Sequence, residues 1–334
     1  MSSRKSRSGF ALAAALVVVA VVVGLASSSK PSTAAASAPI RSTLRGTNVS
    51  NQHYVWVAAN VTDPFYVQGL AGWRAAAAAL GVKVSLVGPP TADVQAQIAD
   101  INTAIANNDT AGILVYPIDY TTIGPVLKKA MAAGIPVVLG NGDSVDKSVR
   151  DAFVGTSNVQ FGQTAADLVG KLLHGKGQVG VVTQLALNHQ QRVQGFKSEL
   201  AKKFPNIKID SVVTSDGSPT GEEKAGSGLI QGNPGLTAIW TSDAGSGVVA
   251  RAVKLAGKSG KLVIVGSDRD PEELQAIKTG EVAATIVQDT YAEEYLGLYD
   301  LFWLHNKSVD VPDTLIDKDF PVTKANLSSL NNLK

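Results

Sequence analysis

From Tyr54 onward the chain alternates short apolar, β-rich runs with longer stretches of helical spacing, and this alternation constrains the fold more than any other feature. Tyr54–Ala59, Val82–Val87, Ala111–Tyr116 and Pro136–Leu139 read as strands with helical patterns between them. Ala92–Asn107 is one such helix, with Val94, Ile98, Ile101 and Ile105 at helical spacing. The pattern resumes after Gly155. Helices predicted at Phe161–Leu173, Arg192–Lys203, Gly221–Gln231, Ser246–Leu255, Glu272–Thr279 and Tyr291–Leu304 alternate with strands at Gln178–Thr183, Ile207–Val213, Ala238–Thr241, Leu262–Val265 and Ala283–Val287. Such alternation implies parallel sheets covered on both faces. One open sheet does not comfortably hold this many units, so the 334 residues are expected to form two doubly wound α/β lobes. With 45% apolar and 17% charged residues, the chain can fill two cores and is not a disordered polymer.

The N-terminus differs in kind. Arg4, Lys5 and Arg7 precede an apolar run from Phe10 to Ala26, and a Ser/Ala/Thr/Pro stretch follows to Pro39. Basic, apolar and small-residue regions in that order read as an export signal, with candidate cleavage after Ala36 or Ala38. The same run sits at the lower limit for a membrane span, so a retained anchor with a flexible linker is the alternative. The chain has no cysteine, which excludes disulfides, thiolate metal sites and lipidation at cysteine. Its net charge is +2, but Arg4, Lys5, Arg7 and Lys30 have no acidic counterpart within residues 1–39. The remaining chain is slightly acidic and has no electrostatic footprint for nucleic acid.

Ligands of doubly wound sheets sit beyond the carboxyl ends of the strands. Residues found there include Asp63, Phe65, Tyr66, Tyr116, Asp119, Asn141, Asp143, Asn188, Arg192, Ser242, Asp243, Asp268, Arg269, Gln288 and Asp289. They mix carboxylates, amides, guanidinium and aromatic rings. Sugar hydroxyls need donors and acceptors together, and sugar C–H faces need flat apolar surfaces. Structural roles compete at several positions: Asp63 before Pro64 suits a helix N-cap, Asp243 can cap the helix at Ser246, and Phe65 and Tyr66 can serve a core. His53, His174, His189 and His305 lack metal-ligand spacing, and His189 is expected at the surface. Trp56, Trp73 and Trp303 read as core, while Trp240 lies in a strand near the ligand edge.

The motifs TDPFYVQGL (62–70), AGILVYPID (111–119), AGIPVVLGNGD (133–143), VGTSNVQFGQ (154–163), QQRVQGF (190–196), IVGSDRDPE (264–272) and GEVAATIVQD (280–289) occur in an order and spacing that resemble the periplasmic binding proteins of the ribose/galactose type. These are the solute receptors of ABC sugar importers, and the resemblance runs from about Tyr54 to Leu327. It implies a type I fold, two α/β lobes joined by a three-crossing hinge. The crossings would fall near Gly155–Ser157, Gln288–Asp289 and Pro312–Leu315. The first lobe would comprise 50–155 with 290–312, and the second 156–288 with 313–334. The resemblance also implies ligand contacts at Asp63, Phe65, Tyr66, Asn141, Arg192, Asp268 and Gln288, and Asp143, Ser242 and Asp243 join them as further candidates. Ribose receptors carry Asp-Arg where this chain has Asn141-Gly142, while Asp63 and Asn141 stand nearer the galactose/glucose pattern. A hexose, a polyol and a deoxy sugar are all open.

The expected function is capture of a monosaccharide or polyol in the interlobe cleft and its delivery to an ABC transporter permease. No cofactor, metal or catalytic residue is expected, and the protein is expected to be a monomer. Membrane contact would come only through the N-terminal segment if uncleaved, placing the protein in the periplasm or on the cell surface. A receptor of this fold feeding a chemotaxis or sensor protein would bind the same ligand. A carbohydrate-active enzyme would need two carboxylates facing one bond. A sugar-responsive repressor would need an N-terminal helix-turn-helix where this chain has its export segment. Arg192→Ala and Asp268→Ala are expected to abolish binding with little loss of fold.

Overall fold

The computed structural model describes residues 48–62 and 64–332. The signal or anchor expected at 1–39, and Asp63, lie outside the described residues. The first lobe is built by β1 (His53–Val57), α1 (Pro64–Leu80), β2 (Lys83–Val87), α2 (Val94–Ala106), β3 (Thr110–Val115), α3 (Gly124–Ala132), β4 (Val137–Gly140) and β5 (Ala152–Thr156). The chain then crosses and builds the second lobe from α4 (Asn158–Leu172), β6 (Lys176–Thr183), α5 (Leu187–Lys203), β7 (Asn206–Thr214), α6 (Pro219–Gly232), β8 (Ala238–Thr241), α7 (Ser246–Leu255), β9 (Val263–Ser267), α8 (Pro271–Thr279) and β10 (Ala284–Val287). It returns through α9 (Thr290–Asn306) and β11 (Thr314–Asp317) to the first lobe, and ends at β12 (Phe320–Thr323) in the second.

The strand orders are β11-β5-β4-β3-β1-β2 and β12-β10-β9-β8-β6-β7, so one winding is used twice. The order reverses between β1 and β3, and again between β6 and β8. Those switch points open a crevice at the carboxyl edge of each sheet. Central strands are apolar throughout: β3 reads TAGILV and is buried along its whole length. Edge strand β7 instead alternates exposed and covered residues.

The lobes are covered α/β sheets as expected, but three strands were not anticipated. β5 is a five-residue run bounded by Arg150, Asp151 and Ser157, and it gains its partners only from β4 and β11. β11 and β12 are four-residue edge strands, and β12 runs antiparallel to β10 in an otherwise parallel sheet. Because Thr314 pairs with Phe153, residues 314–317 belong with the first sheet, not with the second lobe, and the third crossing falls between Asp317 and Phe320. Arg150 fixes this return by donating from Nη1 to Asp313 Oδ1 at 3.0 Å.

Two glycines set how α4 and α5 meet. A Cβ on Gly162 would lie 1.8 Å from the carbonyl oxygen of Arg192, and one on Gly195 would lie 2.0 Å from that of Val159. The helices therefore cross backbone to backbone, which places Arg192 beside the first turn of α4. Helix propensity favours alanine by about 1 kcal/mol, but overpacking costs about 1–3 kcal/mol, and backbone cannot move aside as a side chain can. Gly162→Ala is expected to lower stability despite the propensity gain. A denaturant midpoint at or above that of the parent chain would show the crossing to be looser than this.

Candidate functional site

Among the described residues, two non-glycine residues hold left-handed backbone at strand ends. Asn141, after β4, has φ 61°, and Asp268, after β9, has φ 71°. The other two such residues, His174 and Lys307, follow the ends of α4 and α9, where left-handed termination is ordinary. Asn and Asp tolerate this region better than other side chains, but still at a cost. Strand β4 and strand β9 occupy matching places in the two sheets, so both lobes strain the same position at the carboxyl edge.

Hydrogen bonds gather at each of these edges, and the charge of Arg192 relates the two. Asn158, the first residue of α4, donates from Nδ2 to the carbonyl of Asn141 at 3.1 Å. Its Oδ1 accepts from Arg192 Nε at 2.8 Å. Arg192 Nη1 donates to the Ser242 carbonyl at 2.8 Å, and the guanidinium lies 4.0 Å over the Phe161 ring. On the other side, Gln288 Nε2 donates to Asp268 Oδ1 at 2.7 Å. Asn141, Arg192, Ser242, Asp243, Asp268 and Gln288 thus gather around one buried guanidinium.

The electrostatics follow from burial. Burial lowers the pKa of Arg192, opposed first by Asp268 and then by Asp243, Glu293 and Asp319. Burial raises Asp268, and Arg192 opposes that shift. Asp243 is pushed well up by burial and then by the neighbouring Glu222, which favours a shared proton. His189 is pushed down to about 3 by burial and by Arg192, so it is neutral at physiological pH. Its Nδ1 lies 3.2 Å from the Ser242 carbonyl and 3.1 Å from Ser242 Oγ.

Three of these side chains keep a buried acceptor with no hydrogen-bond partner among the described residues: Asn141 Oδ1, Asp243 Oδ1 and Gln288 Oε1. Each unpaired group costs about 1–3 kcal/mol. They follow strand ends, one in the first lobe and two in the second; Asn141 and Gln288 can accept from a hydroxyl, and the Asp243 carboxyl can accept or donate.

Residues 54–304 match the model of the periplasmic binding protein domain. The chain belongs to this family. It is 29% identical over 246 residues to the D-allose-binding periplasmic protein of Escherichia coli K12, covering 71% of this chain and 79% of that one. The crystal structure of a sugar ABC transporter sugar-binding protein from Bacillus halodurans superposes with TM-score 0.78 at 31% identity, covering 83% of this chain and 99% of that one. A solute-binding protein from Burkholderia graminis in complex with D-arabinose gives TM-score 0.81 at 26% identity, with 85% and 99% covered.

Within this periplasmic binding protein, some expected contacts are turned elsewhere. Both oxygens of Asp143 are taken by Arg150, from Nε at 2.7 Å and Nη2 at 2.9 Å, and Lys147 joins them. Asp143 therefore pins its loop to the end of the strand. Tyr66 is buried at 5% exposure; its hydroxyl accepts from the Ala59 amide at 3.1 Å, and its ring packs on Trp56 and Tyr116. Phe65 is half-buried beside Tyr66 and Tyr116. Ser242 contributes its carbonyl, while its hydroxyl lies 2.8 Å from Thr183 Oγ1. His189 is buried, contrary to expectation, because α5 begins at Leu187 and turns it inward. Trp240 is core, stacked on Phe196 with centroids 4.3 Å apart.

Sequence reasoning missed Asn158, Gln184 and Glu293. Gln184 donates to Asp243, and only the β6–β8 pairing brings them together. Glu293 sits where the crossings converge: Thr156 Oγ1 donates to its Oε1 at 3.0 Å, and Tyr116 donates to Oε2 at 3.3 Å. Burial, then Asp317, pushes Glu293 up to about 8, and burial pushes Asp317 up to about 6. The folded chain keeps a proton on Glu293 that the unfolded chain has already released. Stability is therefore full below the ordinary glutamate range and is lost as pH rises through about 8. One retained proton changes stability by at most about 1.4 kcal/mol per pH unit. The melting temperature is expected to fall by a few degrees between roughly pH 6.5 and 8.5, and less in Glu293→Gln. Equal slopes in both proteins would remove Glu293 as the source.

Proposed function

We propose that this protein is an extracytoplasmic solute receptor that captures a monosaccharide or polyol between its lobes and delivers it to an ABC transporter permease. The observation that carries the reading is the set of buried oxygens without a protein partner among the described residues, on Asn141, Asp243 and Gln288 near Arg192. A ligand rich in hydroxyls bonds to these atoms and offers its own oxygens to the guanidinium. Direct bonds between lobes support a cleft that closes: Arg269 Nε donates to Gln68 Oε1, and Asn158 bridges to Asn141. Ligand held by both lobes then shifts the population towards the closed form that the permease recognises.

The reading is binding without chemistry. It is supported by relatives that are named as binding proteins. The protein acts as a monomer after export, in the periplasm or at the cell surface, and residues 10–26 are its signal or its anchor. A thermal-shift screen of the full chain against pentoses, hexoses, deoxy sugars and polyols tests it. A ligand at 100 times its Kd adds about 2.7 kcal/mol, seen as a raised melting temperature. A folded sample that no sugar or polyol shifts would refute the receptor reading.

A further inference from the structure

We propose that Tyr120 is a ligand-contacting and specificity-determining residue of the first lobe, its phenol donating to a sugar oxygen from a seat that exists only because residue 142 is glycine. This rests on the sugar-receptor reading and deepens it. Tyr120 follows β3, at the switch point of the first sheet, and is half-buried. A Cβ on Gly142 would lie 1.7 Å from the Tyr120 hydroxyl oxygen, so the phenol occupies the space that any other side chain there would claim. Gly142 directly follows Asn141, whose left-handed backbone and unpartnered Oδ1 mark the first lobe's side of the site. The Tyr120 hydroxyl itself has no hydrogen-bond partner among the described residues.

Charge and proton inventory give the phenol its role. Arg192 and Asp143 both act on it electrostatically, Arg192 opposing the rise and Asp143 adding to it. Burial raises its pKa, so it stays protonated and able to donate. The unpartnered atoms on Asn141 and Gln288 are acceptors, and Arg192 has already committed Nε and Nη1 to protein oxygens. Sugar oxygens require donors as well. Tyr120 supplies one from the first lobe, and so favours a ligand with an oxygen at that place over its deoxy analogue.

Calorimetric titration of the full chain with D-allose, D-ribose, D-arabinose and D-xylose tests this in the parent protein, Tyr120→Phe and Gly142→Ala. Tyr120→Phe keeps the ring and loses only the donor, so the best-bound of these sugars is expected to bind about tenfold more weakly, with the melting temperature unchanged. Gly142→Ala displaces the phenol and is expected to weaken binding at least as much. Parent binding with unaltered affinity in Tyr120→Phe overturns the assignment and leaves the receptor reading standing. No binding of any of the four sugars to the folded parent overturns this assignment for aldoses, and the receptor reading falls only if the wider screen of sugars and polyols also gives no shift.

Discussion

Arg192→Ala is expected to abolish ligand binding and also to lower the melting temperature by roughly 10 °C. Arg192 is 2% exposed, and its loss would strip partners from Asn158 Oδ1 and the Ser242 carbonyl. It would also remove the cation that faces Asp268, Asp243 and Glu293. Breaking a buried pair by deleting one partner costs about 3–5 kcal/mol, and each kcal/mol moves the melting temperature by about 2–4 °C in a chain of this size. The sequence reading expected binding loss with little damage to the fold; burial changes that expectation. Arg192→Lys should not restore binding, because an ammonium cannot reach Asn158 and Ser242 with one fork. Circular-dichroism melting and sugar titration of both variants decide the matter. Parent-like melting in Arg192→Ala would mean that the guanidinium serves the ligand and not the fold.

Asp268→Gly is expected to lose binding with a smaller loss of stability than Arg192→Ala. At φ 71° a glycine relieves backbone strain of about 1–2 kcal/mol, while loss of the carboxylate forfeits the 2.7 Å bond from Gln288. Losing the charge that faces buried Arg192 adds a cost that the relieved strain only partly offsets, so Asp268→Gly should melt below the parent chain but above Asp268→Ala. Its affinity should fall at least about 100-fold, because hydrogen bonds to a charged group are worth about 1.5–3 kcal/mol each. Asp268→Ala keeps the strain and should be the less stable of the two by about 1 kcal/mol. Affinity within threefold of the parent in Asp268→Gly would remove this residue from the site.

The pairing of these variants reflects how the site is built. Arg192 is held by a glycine-notched helix crossing and by backbone oxygen, so it belongs to the second lobe's structure as much as to its cleft. Asp268 stands at the end of a strand, attached through its own backbone, Gln288 and the charge of Arg192.

Much of this was legible in the linear sequence. Continuous apolar runs such as 111–115 specify central strands of parallel sheets, because a strand buried on both faces has no polar side. The alternation of such runs with amphipathic helices dictates double winding, and double winding puts function at the residues that follow each strand. That rule singles out Asn141, Asp268, Gln288 and Arg192 as candidates from the sequence alone. Contacts between distant segments carry no such local signature. The bonds of Asp143 to Arg150, the burial of Tyr66 and His189, the seat of Tyr120 against Gly142 and the place of β11 beside β5 were decided by tertiary structure alone. Each depends on a partner brought near by packing, and periodicity records which face a residue turns to the core but not what waits there.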